Sequence, residues 1–305
     1  MEHLNIRRSF IVITQWGIFP LIMVLTTWLM IESFQGLIDP LKASMIAFFG
    51  TIAAVAIIER LLPQNSLWNK RGAGDIKVDS TSFVVMMAAM DPLIKAVSPL
   101  LITILLVTFG LTENSGIFPN DWPFLAQLLL VAVLAEFGQY WMHRLSHENK
   151  WLWRVHIAHH STKRIYWLNG FRVHPLNIIW FHLSGVFILF LVGANTEVML
   201  TFATLMGVSN TFQHANIKLK HGVLNYVFST NELHRWHHST KLKEANNNYG
   251  AMLIIWDLVF GTYYKETDRS PNKLGVIGNE SYPTDSYWKQ ILIPFFWKKW
   301  RSKKN

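Results

Sequence analysis

Apolar residues along this chain gather in long runs. The first run covers residues 10–34 and follows Arg7 and Arg8. It is too long for a signal-peptide core and carries no small-residue cleavage site, so it reads as a retained span. A second run, residues 44–62, ends in Glu59, Arg60 and Pro63. Residues 64–80 are polar, with Lys70, Arg71 and Lys77 around Gly72 and Gly74, and read as a loop. Residues 81–91 are apolar but short and stop at Asp91-Pro92; they are either an interfacial helix or the start of the next span. Further runs cover 93–111 and 124–142, separated by 112–123, which holds two prolines and no positive charge. Two last runs, 176–192 and 196–212, are joined by Gly193-Ala194-Asn195. Each falls slightly under the roughly 20 residues a full crossing needs. They form a hairpin that either crosses or dips in and returns, and both outer ends then emerge on one side.

This pattern predicts an all-α fold of about four to six membrane spans with a helical cap on the cytosolic face. The charges agree. Arg7, Arg8, Lys70, Arg71, Lys77 and the long segments 143–175 and 213–305 fall on one side, while the opposite loops contain only Lys42. Positive residues in short loops favour the cytoplasm, so a multi-pass membrane protein with its polar cap in the cytoplasm is expected. A hydrophobic share of 51%, with charged residues at 15%, suits that class better than a soluble enzyme. The net charge of +9 sits beside apolar stretches, which points to a membrane surface and not to nucleic acid. With no cysteine, disulfides, thiolate-held iron–sulfur clusters and cysteine zinc sites are excluded. Three regions are expected: spans in 1–123, a catalytic region in 124–265, and a tail in 266–305. The tail mixes Tyr287, Trp288, Phe295, Phe296, Trp297 and Trp300 with Lys289, Lys298, Lys299, Arg301, Lys303 and Lys304, the mixture of a segment lying on an anionic membrane face.

The candidate chemistry begins where the 124–142 run ends. HRLSH starts at His143, HIAHH at His156 and HRWHH at His234. Residues three or four apart on a helix are neighbours, so His143 and His147 make one set, His156, His159 and His160 a second, and His234, His237 and His238 a third. Neutral imidazole is the commonest transition-metal ligand among side chains. Eight of them exceed one tetrahedral ion and suit two ions held together. On a straight helix the first two sets would face opposite ways, so a bend is expected near Glu148-Asn149-Lys150. Glu136, two turns before His143, forms one stripe with Tyr140, His143 and His147. It is either a hydrogen-bond partner of a ligand histidine or a carboxylate that reaches the boundary or pairs with Arg144. Glu232, Asn247 and Asp257 are further partner candidates, and Asp257 fits a helix end equally well. No side chain other than the metal ligands is singled out as catalytic.

These boxes, with FRVHP at 171–175, QHAN at 213–216, LHRWHH at 233–238 and NNYGAMLIIWDLVFGTYY at 247–264, resemble the fatty acid hydroxylase / sterol desaturase superfamily. The resemblance covers about residues 124–265. It implies a di-iron centre that turns dioxygen against an unactivated C–H bond of a lipid, by hydroxylation or desaturation. By position, His143, His147, His156, His159, His160, His234, His237 and His238 would be ligands, joined by His214. His174 and His221 would be ligands or their partners, while His3 and His182 match nothing. Some members carry a fused haem domain; none is seen here, so the resemblance implies electrons from a separate haem or ferredoxin-type protein. Fatty acyl, sphingoid or ornithine-type lipids, sterols, carotenoids and alkylglycerols all remain open as substrates. Two other classes compete, a membrane zinc hydrolase and a metal transporter. A zinc hydrolase keeps three protein ligands and one open position, fewer than this chain offers. A transporter places its ligands near mid-bilayer, often with repeat symmetry, and neither is seen.

Overall fold

A computed structural model describes residues 2–70, 74–110, 116–276 and 282–302. Arg71, Lys303 and Lys304 lie outside the described residues, as do the side chains of His3, Arg7, Arg8, Lys299 and Arg301. Helices α1 (Glu2–Phe34) and α2 (Pro40–Leu61) form the first pair. Pro40 at the start of α2 needs no amide partner there, and Asp39 caps the turn by accepting the Lys42 amide.

Helix α3 (Asp75–Val85) begins inside the stretch read as a loop, which corrects that expectation. It runs through a π turn at Met86–Met90 into α4 (Asp91–Thr108), so residues 81–91 are the middle of a span. Pro92 follows the π turn inside this continuous helix and has no amide to give to the preceding turn. The polar residues before it have partners. The buried Asp79 carboxylate receives the Arg172 guanidinium and the Tyr166 hydroxyl, and Asp75 pairs with Arg164 at 2.6 Å. These pairs tie the start of α3 to residues 164–172.

Helix α5 (Phe124–Glu148) is followed at once by α6 (Lys150–His160). The bend is one residue wide. Asn149 takes extended backbone angles (φ −95°, ψ 120°), and its side chain caps α6 by accepting the amides of Trp151 and Leu152. Helices α7 (Pro175–Val192) and α8 (Thr196–Gln213) make the hairpin. Short helices α9 (Asn231–His237), α10 (Leu242–Ala245), α11 (Ile255–Val259), α12 (Tyr287–Leu292) and α13 (Trp297–Ser302) complete the chain, and among the described residues there is no strand.

Among the described residues, five helical segments are long and apolar enough to cross a membrane: Ser9–Phe34, Pro40–Leu61, Asp75–Leu101, Phe124–Glu148 and Pro175–Val192. Helix α8 is not among them; it is mostly buried between α1, α2 and α5. Helices α5 and α7 cross closely. A Cβ on Gly138 would stand 1.9 Å from the Ser184 carbonyl oxygen, so no larger residue fits there. At one end of the bundle, the loop before α5 bonds the α7–α8 turn through Phe118 N–H to the Val192 carbonyl (2.9 Å). The histidine segments gather at the other end. There the buried Glu59 carboxylate at the end of α2 accepts the amides of Trp167 (2.8 Å) and Asn216 (2.7 Å).

Candidate metal centre

Nine imidazoles meet in two adjoining groups. His143, His147, His156, His160 and His237 form one; His159, His214, His234 and His238 form the other, and within each group the nitrogens lie within 4.8 Å of one another. Each H-x-x-H-H box serves both. His156 and His160, four apart, point into the five-membered group, while His159 is turned a quarter-circle from His160 into the other. The box on α9 does the reverse, with His234 and His238 in the four-membered group and His237 in the five-membered one. His160 and His238 stack where the groups adjoin, with ring centroids 4.5 Å apart.

The Nδ1 atoms fix which nitrogen carries the proton. His143 Nδ1–H donates to the Tyr249 carbonyl (2.7 Å), and His237 Nδ1–H to the Asn247 carbonyl (2.8 Å). A carbonyl only accepts, so each Nε2 is left as a lone pair. His156 donates in the same way to the Asn177 side-chain oxygen (3.0 Å), His147 to that of Asn246 (3.3 Å) and His214 to that of Asn169 (2.8 Å). The Asn169 amide is pinned because its nitrogen donates to the Arg164 carbonyl. The free lone pairs then face one another: His143 Nε2 and His156 Nε2 stand 3.1 Å apart, and buried His237 Nε2 has no hydrogen-bond partner. Two lone pairs at that distance repel unless a positive charge lies between them. Two nitrogen ligands at right angles about an ion, each ~2.1 Å from it, stand about 3.0 Å apart. The donor set therefore fits bound metal.

Burial, reinforced by neighbouring imidazoles, holds the rings of His156, His160, His214, His234, His237 and His238 well below the ordinary imidazole range. Burial holds His159 at about 4. Neutral rings at neutral pH are the ligand form.

The remaining sequence candidates lie around the groups. Glu136 does not touch an imidazole, which corrects its expected partner. Its carboxylate accepts the consecutive amides of Ala251 (3.0 Å) and Met252 (2.5 Å). Asp257, raised by burial to about 6, accepts those of Tyr249 and Gly250 (2.8 Å each) and the Thr262 hydroxyl. Together they clamp the turn whose Tyr249 carbonyl holds His143. Gly250 is required in that turn, since a Cβ there would stand 2.1 Å from the Leu253 carbonyl oxygen. Tyr140 is buried and meets Thr262 through its hydroxyl (3.0 Å). Glu232 pairs with Lys265 (2.8 Å), away from the rings. Asn247 contributes its backbone carbonyl, not its side chain.

His174 and His221 are outside both groups. His174 caps α7, accepting the Leu176 amide at Nδ1 and donating from Nε2 to the Ile291 carbonyl (3.1 Å). His221 Nε2 meets Asn231 Oδ1 (3.0 Å). His182 is hydrogen-bonded to Ser98 (2.8 Å). Sequence reasoning missed Asn169, Asn177 and Asn246, and also Phe181. The Phe181 ring lies one turn beyond Asn177, edge-on to His143 (5.2 Å) and stacked on His156 (5.9 Å). Asn169 and Asn177 lie on either side of FRVHP and Asn246 opens the run of three asparagines before Tyr249, which was the available signal for these three; nothing in the sequence marked Phe181.

Comparison with known proteins gives concordant matches. The fatty acid hydroxylase family model matches residues 128–262. The chain is 33% identical over 250 residues to the ornithine lipid hydroxylase of Rhizobium tropici, covering 82% of this chain and 75% of that protein. It is 32% identical over 161 residues to alkylglycerol monooxygenase of Homo sapiens, covering 52% of this chain and 35% of that protein. With sphinganine C4-monooxygenase 1 of Arabidopsis thaliana the identity is 24% over 189 residues, 60% of this chain and 71% of that one. No solved structure matches.

Proposed function

Because this chain belongs to the fatty acid hydroxylase family, we propose that it hydroxylates a C–H bond of a membrane lipid with dioxygen, using two iron ions held by its nine clustered histidines. It is an integral, multi-pass membrane protein and an oxidoreductase. Its relatives are lipid hydroxylases and monooxygenases, so neither the zinc-hydrolase nor the transporter reading is favoured. The observation that carries the proposal is the inward-facing set of Nε2 lone pairs, each backed by an Nδ1–H bond to a carbonyl oxygen at His143, His147, His156, His214 and His237.

When bound, the iron ions supply the oxidising power that no side chain has. The protein's part is to hold, orient and keep dry. Tyr249, Asn247, Asn177, Asn246 and Asn169 set the ring orientations through their oxygens. The Glu136 and Asp257 carboxylates fix the turn that carries the Tyr249 carbonyl. Phe181 covers the five-membered group from α7, a membrane-crossing helix, so a lipid chain meets that group across an aromatic wall rather than across water. Hydroxylation balances as R–H + O2 + 2 electrons + 2 protons giving R–OH + H2O. The electrons come from a separate donor protein, and the cap that must receive them faces the cytoplasm.

An ornithine-containing lipid is the first substrate to test, given the extent of the match to the Rhizobium tropici enzyme. Cells expressing the chain and supplied with that lipid under 18O2 should yield a product carrying one heavy oxygen atom, and the purified protein should hold two irons per chain. Product oxygen derived from water, or product formed undiminished without dioxygen or by zinc-loaded protein, would sink the oxygenase reading.

A further inference from the structure

We propose that residues 286–300 form an in-plane anchor seated in the headgroup layer of an anionic bilayer, beside the point where α7 enters the membrane. The segment has two faces. Tyr287, Gln290 and Ile293 are buried; Gln290 donates to the Pro283 carbonyl (2.9 Å), and Ile293 joins Ile157 and Tyr282 in a small core lined by Trp297 and Trp300. The opposite face carries Trp288, Leu292, Phe295 and Phe296, which are 64%, 52%, 66% and 57% exposed. Exposed Lys289 and Lys298 are interleaved with them. Single exposed apolar residues need no explanation, but four large ones on one short stripe, set among cations, match an interfacial segment.

The structure also sets the height of this stripe. The Ile291 carbonyl accepts the Nε2–H of His174, the residue that caps α7, and the Phe295 ring lies 6.4 Å from the His174 ring. Helix α12 packs against α6 and against α3, so with the His174 contacts the segment lies beside the starts of two membrane-crossing segments, Asp75–Leu101 and Pro175–Val192. Nearby, the Arg154 guanidinium lies between Trp151 and Trp297, 3.7 and 5.5 Å from their rings, and Trp151 is 60% exposed. Tryptophans at this level, with cations beside them, are what the boundary of a bilayer selects. The anchor bears on the site, because the helix that His174 caps carries Asn177, the partner of His156. The proposal rests on the multi-pass reading of the chain and not on the identity of the metal.

The chain has no cysteine, so single labels can be placed without background. Leu292→Cys and Phe295→Cys, each carrying a nitroxide, are reconstituted as full chain into vesicles of phosphatidylcholine with and without phosphatidylglycerol. Accessibility to membrane-soluble oxygen and to an aqueous nickel chelate is then read. Lys243→Cys is the solvent reference and Leu100→Cys, on α4, the lipid reference. The labels at Leu292→Cys and Phe295→Cys should both be several-fold less accessible to nickel than Lys243→Cys, with oxygen accessibility near that of Leu100→Cys. Adding Lys289→Glu with Lys298→Glu should raise nickel accessibility in vesicles containing phosphatidylglycerol and leave it unchanged in phosphatidylcholine alone. Nickel accessibility equal to that of Lys243→Cys overturns the proposal. So does shielding from both reagents, which would mean that protein covers the stripe. Charge reversal without effect overturns the anionic preference. A Leu100→Cys label that reads as aqueous would instead defeat the multi-pass reading.

Discussion

His156 shows how much of a ligand's behaviour is set by the atom behind it. Its Nδ1–H has one partner, the Asn177 side-chain oxygen at 3.0 Å. Asn177→Leu keeps the volume close and removes that acceptor, so the ring loses its fixed proton position and its orientation. Partner losses of this kind cost roughly 10–100-fold in metal affinity. The expected outcome is a fall of that size in a chelator competition, with the helical circular dichroism unchanged; full affinity would show that Asn177 does not orient His156. The same burial makes the metal-free protein sensitive to acid. An unfolded imidazole titrates near 6.5, whereas burial holds His159 at about 4 and the other cap histidines well below their usual range. Between those values the unfolded chain binds more protons than the folded one, so stability rises with pH across the window and is lost as pH falls through it. Thermal unfolding of the chelated protein should move to lower temperature from pH 7 to pH 5. A flat profile would mean that the rings are not held neutral.

At the scale of elements, α5 and α7 act as one unit because Gly138 lets their backbones touch. Gly138→Ala would place a methyl 1.9 Å from the Ser184 carbonyl oxygen, a clash with backbone that no rotamer relieves. Overpacking of a well-filled core costs about 1–3 kcal/mol, and here it also separates His143 on α5 from Asn177 on α7. Gly138→Ala should lower both the thermal midpoint and the metal content, while Gly17→Ala, with nothing within 4 Å, should change neither. Equal behaviour of the two variants would show that the crossing is not tight. The elements were legible where one signal dominated. Long apolar runs marked α1, α2, α5 and α7 and the second part of the α3–α4 span, and box spacing marked the two α-helical turns at His143 and His156 as well as the bend between them at Asn149. Helix α3 was not legible, because Asp75 and Asp79 look like loop residues until Arg164 and Arg172 arrive from about 90 positions away. Glu136 was misassigned for a related reason. The sequence shows that a carboxylate so deep in a span needs a partner, but not that the partners are backbone amides at Ala251 and Met252.

The whole molecule has two unlike ends, and its topology follows from which loops share each end. The histidine end gathers the α5–α6 bend, the start of α7, the end of α8 and the segments after it. Lys218 N–H bonds the Leu62 carbonyl at the end of α2, and Lys220 N–H bonds the Gln15 carbonyl on α1, so both helices reach this end as well. The far end holds the α1–α2 turn, the segment before α5 and the α7–α8 turn, where Asn120 donates to the Gly193 carbonyl. Of the far-end loops read from sequence, only one residue is cationic, Lys42, whereas the histidine end carries most of the Lys and Arg. On that asymmetry we propose that the histidine end faces the cytoplasm. Ser161 and Ser239, beside the boxes, are buried and would not report on this, but Lys163, Lys243 and Glu197 are exposed. Single cysteines at Lys163 and Lys243 should stay unreactive to an impermeant maleimide added to intact cells and react after permeabilisation, while Glu197→Cys should react from outside. Labelling of Lys163→Cys in intact cells would reverse the orientation. Labelling of Glu197→Cys and Lys163→Cys from one side would mean that α7 does not cross. The second result would matter more for function, because Asn177 and Phe181 meet the histidines from a helix whose other end must then leave the bilayer.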